Sequence, residues 1–163
     1  NSGIFCHTQG WAVMAEAMRG NGKRAYEYFR AYMPSAYNKK AEIREIEPYV
    51  YCQSTHSKYS PRFGASCLPW LSGAATWAFY AVSQYILGIK PEYNGIKIDP
   101  CIPAEWDKIK INRKFRNKNL DITIDNPSGK EKGVSKILVN GKEISGTIPY
   151  DMLKEENTIK VTL

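Results

Sequence analysis

His7 stands between Cys6 and Thr8 in the run FCHTQGW, just ahead of an apolar helical pattern. The first turn of a helix leaves backbone N–H groups without partners and so favours an anion, and an imidazole beside it adds a donor. Thr8 is placed to cap that turn. A second start of the same kind lies in WLSGAATW, residues 70–77, where Ser72 offers a hydroxyl and Gly73 lets a ligand approach the backbone. Ser and Gly at a helix N-terminus are a combination that binds phosphate oxygens. Each has a structural alternative, a histidine bonded to a carbonyl and an ordinary serine cap, which spacing alone favours. The run EPYVYCQ, residues 47–53, adds Glu47, Tyr49, Tyr51 and Gln53. A carboxylate, an amide and alternating aromatics suit a sugar, which presents hydroxyls at its edge and an apolar ring face. Taken singly, Glu47 also reads as a solvated surface charge.

The elements that must position these residues fall into two halves. Trp11, Ala12, Val13, Met14, Ala17 and Met18 form an apolar helical face that stops at Gly20-Asn21-Gly22. A second helix from about Lys23 to Tyr32 is closed by Met33-Pro34, giving an antiparallel helical hairpin. Residues 34–67, with Pro34, Pro48 and Pro61, read as one long irregular loop, and loops above about 15 residues in compact domains are commonly functional. A long apolar helix over 72–87 follows and ends at Gly88. After Pro91 the period becomes two: residues 108–113, 120–125 and 158–163 alternate as strands, and Asn140-Gly141 joins two more as a hairpin. The expected fold class is α+β, a helical part over 1–90 followed by an antiparallel β-domain over 91–163. Three helices cannot close a bundle, so the apolar helix 72–87 needs partners upstream of Asn1 or on another chain.

Composition excludes several functions. The 163 residues are 43% hydrophobic and 12% aromatic, enough for a core, and the net charge of +7 is spread over both halves rather than gathered as a nucleic-acid footprint. Phe63–Ile89 has no charged residue, yet Pro69, Ser72, Gly73 and Gln84 interrupt it, so no membrane span is expected. Cysteines 6, 52, 67 and 101 lack CxxC spacing and only two histidines accompany them, which points to free thiols in a reducing cytosol and away from zinc. No Gly-rich nucleotide loop or His-Glu ligand pair is present, so no metal, nucleotide or flavin cofactor is expected. The first residue is Asn1 and no leader pattern follows it, so the chain reads as a cut piece.

Four runs, GIFCHT, EPYVY, WLSGAATW and SQYILGIKPEYNGIKIDPCIP, together with NPSGKEKGVSKILVNGKEI in the sheet half, resemble the C-terminal part of the cellobiose phosphorylase family. The resemblance covers nearly the whole chain, with several motifs in the same order. It implies a multidomain bacterial enzyme in which this chain supplies the last helices of an (α/α)6 barrel and the C-terminal β-domain. The implied reaction is cleavage of a β-glucosidic bond by inorganic phosphate, releasing α-glucose 1-phosphate with inversion. Phosphate is then a co-substrate, and no cofactor is needed. The implied general-acid Asp lies upstream of the matched segment, so the chain alone is expected to be inactive. The resemblance assigns His7, Ser72 and Gly73 to the phosphate, with Ser72 where many relatives have Thr and Ala74 where many have a second Thr. Glu47 is assigned to sugar hydroxyls near the acceptor, with Tyr51 and Gln53 on the same wall. Lys58 and Arg62, in the loop facing the leaving sugar, could pair with the carboxylate of an aldonic acid, which keeps cellobionic acid beside cellobiose; as residues they read equally as two solvated charges. The implied partners are a disaccharide, phosphate, the rest of the catalytic domain and a second copy in a homodimer.

Two rival readings remain. One is a non-catalytic module that binds sugar or mediates dimer contacts. The other makes Glu47 the acid of a complete hydrolase, but inverting hydrolysis uses two carboxyls about 6.5–9.5 Å apart and the helical half offers no evident second one.

Overall fold

The computed structural model describes residues 3–163. Strand β1 (Gly3–Phe5) leads into helix α1 (His7–Met18), which turns back into α2 (Gly22–Tyr32), as the hairpin reading expected. Gly10, Val13 and Ala17 are the buried positions of α1, three and four apart, while Lys23, Arg24, Glu27 and Arg30 of α2 line a polar face. Pro34 opens a 3₁₀ segment, Pro34–Lys40, and one further turn of helix, α3 (Ala41–Arg44), ends where Glu45 adopts φ 59°.

The stretch read as irregular contains a β-ribbon. Strands β2 (Cys52–His56) and β3 (Ser66–Pro69) pair antiparallel, and β1 adds to the outer edge of β2, giving the order β1-β2-β3. Strand β2 is built from Cys, Gln, Ser, Thr and His and β3 is the four residues Ser-Cys-Leu-Pro, so neither shows the apolar alternation that marks a strand in sequence. Helix α4 (Ala74–Ala81) buries Ala74, Ala78 and Ala81 and runs into a π-helical turn, Val82–Ile86. The expected helix over 72–87 is thus present, begun two residues later and loosened in its last turn.

Beyond it, β4 (Ile89–Pro91) and β5 (Gly95–Ile98) form a small antiparallel sheet with β10 (Ile148–Pro149), in the order β10-β5-β4. The larger sheet comprises β6 (Lys108–Phe115), β7 (Lys118–Asp125), β8 (Lys136–Val139), β9 (Lys142–Ile144) and β11 (Glu156–Thr162), ordered β6-β7-β11-β8-β9. Its hairpins are antiparallel, but β11 runs parallel to β7, with Ile159 opposite Ile122. The expectation of a purely antiparallel domain is corrected at this one pairing. Asn140 (φ 51°) and Gly141 (φ 85°) make the β8–β9 turn, with both central residues left-handed as a two-residue hairpin demands. Leu120, Ile122, Ile124, Ile159 and Val161 face inward from the sheet. They join Val13, Ala17, Ala25, Ala81 and Ile86 of the helices and Ile89, Ile96, Ile98 and Ile148 of the small sheet in one core. The helices and sheets are held by the same apolar contacts.

Outside that core, Trp11, Phe79 and Leu71 are exposed at 50%, 68% and 75%. No helix among the described residues is long and apolar enough to cross a membrane.

Candidate functional site

Two helices begin at the same place. Cys6 is the N-cap of α1 and gives its N–H to the Gln53 carbonyl of β2 at 2.7 Å, which ties the helix start to the ribbon. His7, the first residue of α1, accepts the Gly73 N–H at Nε2, and Gly73 is the N-cap of α4. The ring therefore carries its proton on Nδ1 in this arrangement. A side chain at position 73 would put its Cβ 3.1 Å from His7 Nε2 and 3.2 Å from Cε1, so it would press the imidazole back by a few tenths of an ångström. Phe5 braces the imidazole from the other side, with ring centroids 4.7 Å apart.

Ser72 holds the second helix to the ribbon. Its hydroxyl donates to the Cys52 carbonyl at 3.2 Å and accepts the Ala74 N–H at 3.0 Å. Ser72 thus lies one residue ahead of the N-cap position expected for it, yet still satisfies a first-turn amide. Thr8 does not cap α1; it lies inside the first turn and donates to the Phe5 carbonyl at 3.1 Å, beside the Gln9 amide at 3.0 Å. Neither α1 nor α4 has an acidic residue in its first turn or a side-chain cap on its N-cap residue. Two positive helix ends with no acidic side chain in either first turn meet at His7 and Gly73, which suits an oxyanion.

The sugar-type residues lie along the same ribbon. Trp70, three positions before Gly73, donates its indole N–H to Glu47 Oε1 at 3.1 Å, and Tyr49 packs edge-on to the same indole at 6.2 Å. That indole bond, helped by a backbone amide, holds the Glu47 carboxyl below the usual carboxylate range. Trp70 is 64% and Tyr49 71% exposed, so the two rings and the carboxylate form an open aromatic edge.

Tyr51 points the other way. It packs against Tyr32 at 5.8 Å and against the small cluster of Cys6, Cys52 and Ala74, and burial pushes its phenol up to about 12. Gln53 joins the site through its carbonyl. Lys58 lies over the Tyr59 ring at 5.1 Å, whereas Arg62 pairs with Glu45. The two cations therefore have separate partners, and no bond brings them together.

Trp70 was not singled out from the sequence, although it sits in the run that contains Ser72 and Gly73; its signal was an indole next to a helix start. Among the described residues no group of three His, Cys, Asp or Glu side chains could hold a metal ion.

Residues 1–88 match the glycosyl hydrolase 94 superfamily, catalytic domain, and residues 89–145 match the glycosyl hydrolase family 65, C-terminal domain. N,N'-diacetylchitobiose phosphorylase of Vibrio proteolyticus is 37% identical over all of this chain, which covers 20% of that protein. Solabiose phosphorylase of Paenibacillus borealis is 30% identical over 91% of this chain and 19% of its own length. Cellobionic acid phosphorylase of Neurospora crassa is 22% identical over 66% of this chain and 14% of its own length. The chain spans about a fifth of the length of the first two of these relatives.

Proposed function

The chain belongs to the glycosyl hydrolase 94 superfamily, and on that premise we propose that it carries the phosphate-binding part of an inverting disaccharide phosphorylase. The observation that carries this reading is the meeting of His7 with Gly73, where two helix N-termini converge without an acidic residue in either first turn. When inorganic phosphate binds, the Gly73 N–H leaves the imidazole for a phosphate oxygen. The imidazole then shifts to the tautomer with its proton on Nε2 and donates that N–H to the same anion, and the Ser72 hydroxyl, freed from the Cys52 carbonyl, adds a third bond. Phosphate is already anionic, so it attacks the anomeric carbon with little help from a base. The glycosidic C–O bond breaks, and the leaving oxygen takes a proton from a carboxylic acid. That acid is an Asp outside these residues, so the chain alone does not turn over.

Glu47, with Trp70 and Tyr49 beside it, meets sugar hydroxyls and a ring face next to the phosphate. The helical residues 1–90 belong to an (α/α)6 barrel, and the exposed Trp11, Leu71 and Phe79 are where the rest of it packs. Residues 91–163 correspond to the C-terminal β-domain, packed on the helical part through the shared core. The substrate on this reading is a β-linked disaccharide, and the likeness to a chitobiose phosphorylase is the reason to try N,N'-diacetylchitobiose along with cellobiose and cellobionic acid. Among the described residues Lys58 makes no ion pair and is placed to meet an acidic acceptor, whereas Arg62 would first have to leave Glu45.

The test is release of a sugar 1-phosphate from each of these disaccharides and inorganic phosphate, by a polypeptide that joins this chain to an upstream catalytic segment. Turnover that His7→Ala lowers through phosphate affinity, by about 10- to 100-fold for a lost bond of about 1.5–3 kcal/mol, is the expected result. Ser72→Ala is expected to act in the same direction but less. Sugar binding that is indifferent to phosphate in the same polypeptide would replace this reading with a non-catalytic module.

A further inference from the structure

Cys6 and Cys52 belong to elements that the site depends on, since Cys6 precedes His7 and the Cys52 carbonyl receives the Ser72 hydroxyl. Their Sγ atoms are 3.8 Å apart, and both residues are 5% exposed. Thr55 Oγ1 lies 3.4 Å from the Cys52 sulfur and 3.9 Å from that of Cys6. Both thiols border a cavity of about 280 Å³ whose wall also includes Arg44, His56 and Tyr32. A water-sized oxidant fits such a space. The other two cysteines are placed differently: Cys67 lies 3.3 Å from His56 Nε2, and Cys101 is in the main core.

We propose that Cys6 and Cys52 are a modification site, a dithiol that a hydroperoxide converts to a disulfide, and that this closure weakens phosphate binding at His7. The disulfide stands on the thiol geometry alone, whereas the effect on phosphate rests on the phosphate-site reading above. The two thiols have unequal roles. The hydrogen bond from Cys6, aided by Thr55, Ser66 and the charge of Arg44, draws Cys52 toward thiolate against its burial. The same bond, together with burial, keeps Cys6 protonated.

With hydrogen peroxide as the oxidant, the Cys52 thiolate attacks one of its oxygens, the O–O bond breaks, and hydroxide leaves to take up the proton that Cys52 had released. The Cys6 sulfur then attacks the resulting sulfenic acid, and the displaced hydroxyl leaves as water with the Cys6 proton. Two thiols lose two hydrogens and one peroxide becomes two waters. A disulfide bond is about 2.05 Å long, so the sulfurs must close by roughly 1.8 Å. That movement draws the first turn of α1 toward β2 and turns His7 away from Gly73.

The decisive experiment treats the polypeptide containing this chain with hydrogen peroxide, blocks remaining thiols, and digests it with trypsin. Each cysteine lies on its own tryptic peptide, Cys6 on the one ending at Arg19 and Cys52 on Glu45–Lys58. The expected product is these two peptides joined, lighter by two hydrogens, and separated again by dithiothreitol. Cys52→Ser and Cys6→Ala, tested separately in case one fails to fold, are each expected to abolish it. Calorimetry with inorganic phosphate is expected to show at least tenfold weaker binding after oxidation and recovery after reduction. Thiols that stay unlinked, or a link to Cys67 instead, would overturn the dithiol. Linked peptides with unchanged phosphate affinity would overturn the coupling. A reduced protein that fails to bind phosphate would refute the phosphate site while leaving the linked peptides to decide the dithiol.

Discussion

Glu47 owes its low proton affinity first to the Trp70 indole, and that dependence can be measured. Trp70→Phe keeps a ring beside Tyr49 but removes the N–H donor. The Glu47 carboxyl is then expected to rise toward the ordinary carboxylate range, read by side-chain carbonyl NMR over an acid titration. An unmoved titration would show that the backbone amide suffices. The sequence shows that His7, Ser72 and Gly73 lie at helix starts, because helix-start chemistry is local, but spacing alone favoured a structural role for each and their assignment to phosphate came from the family resemblance. The bonds that complete the site are not local. Trp70 meets Glu47 across 23 positions, Arg62 meets Glu45 across 17, and Cys6 meets Cys52 across 46. Each has at least one end within residues 34–67, which read as loop in the sequence, so its partner could not be inferred.

Two glycines separate the cost of a backbone conformation from the cost of crowding. Gly141 has φ 85° and open space where a Cβ would sit, so Gly141→Ala pays only for the left-handed conformation. We expect a loss of about 1–2 kcal/mol, or roughly 3–6 °C in Tm by thermal denaturation. At Gly22 a Cβ would lie 2.1 Å from the Ile102 carbonyl oxygen, part of a backbone that cannot yield cheaply. Gly22→Ala is expected to cost about 3 kcal/mol or more and to loosen α2 from the sheet half. Equal losses at the two positions would refute this distinction. Among the elements, β6, β7 and β11 were readable because their apolar residues recur at every second position, and the β8–β9 turn because Asn-Gly is specific. The period reveals which face is buried but not which strand lies alongside. For that reason the parallel pairing of β7 with β11 was not foreseen, and β2 and β3, with few apolar residues, were missed.

The core that joins helices to sheets also ties stability to pH. Cys101 sits in it at 1% exposure, and burial pushes its thiol up to about 11 from an ordinary 9.0. Between those values the unfolded chain gives up this proton before the folded one does, so unfolding becomes easier as pH rises. Cys6 and Tyr51, both also raised, act in the same sense. Tm is therefore expected to fall from pH 9 to pH 11, and Cys101→Ala to make that fall shallower; an unchanged slope would exclude Cys101 as a contributor. The α+β class was legible at this scale from the change of period near Pro91, whereas the single core shared by both halves was not, because contacts between distant segments leave no periodic trace. The strand order carries one more consequence, for synthesis. β11 lies in the middle of the large sheet but follows its neighbours β7 and β8 in the chain. As the polypeptide leaves the ribosome, two hairpins wait with a vacant slot between them, and both open edges stay exposed until residues 156–162 arrive. During that interval the same strand from a neighbouring nascent copy is the competitor that can fill the slot, so crowded polysomes are where exchanged dimers of this protein would originate.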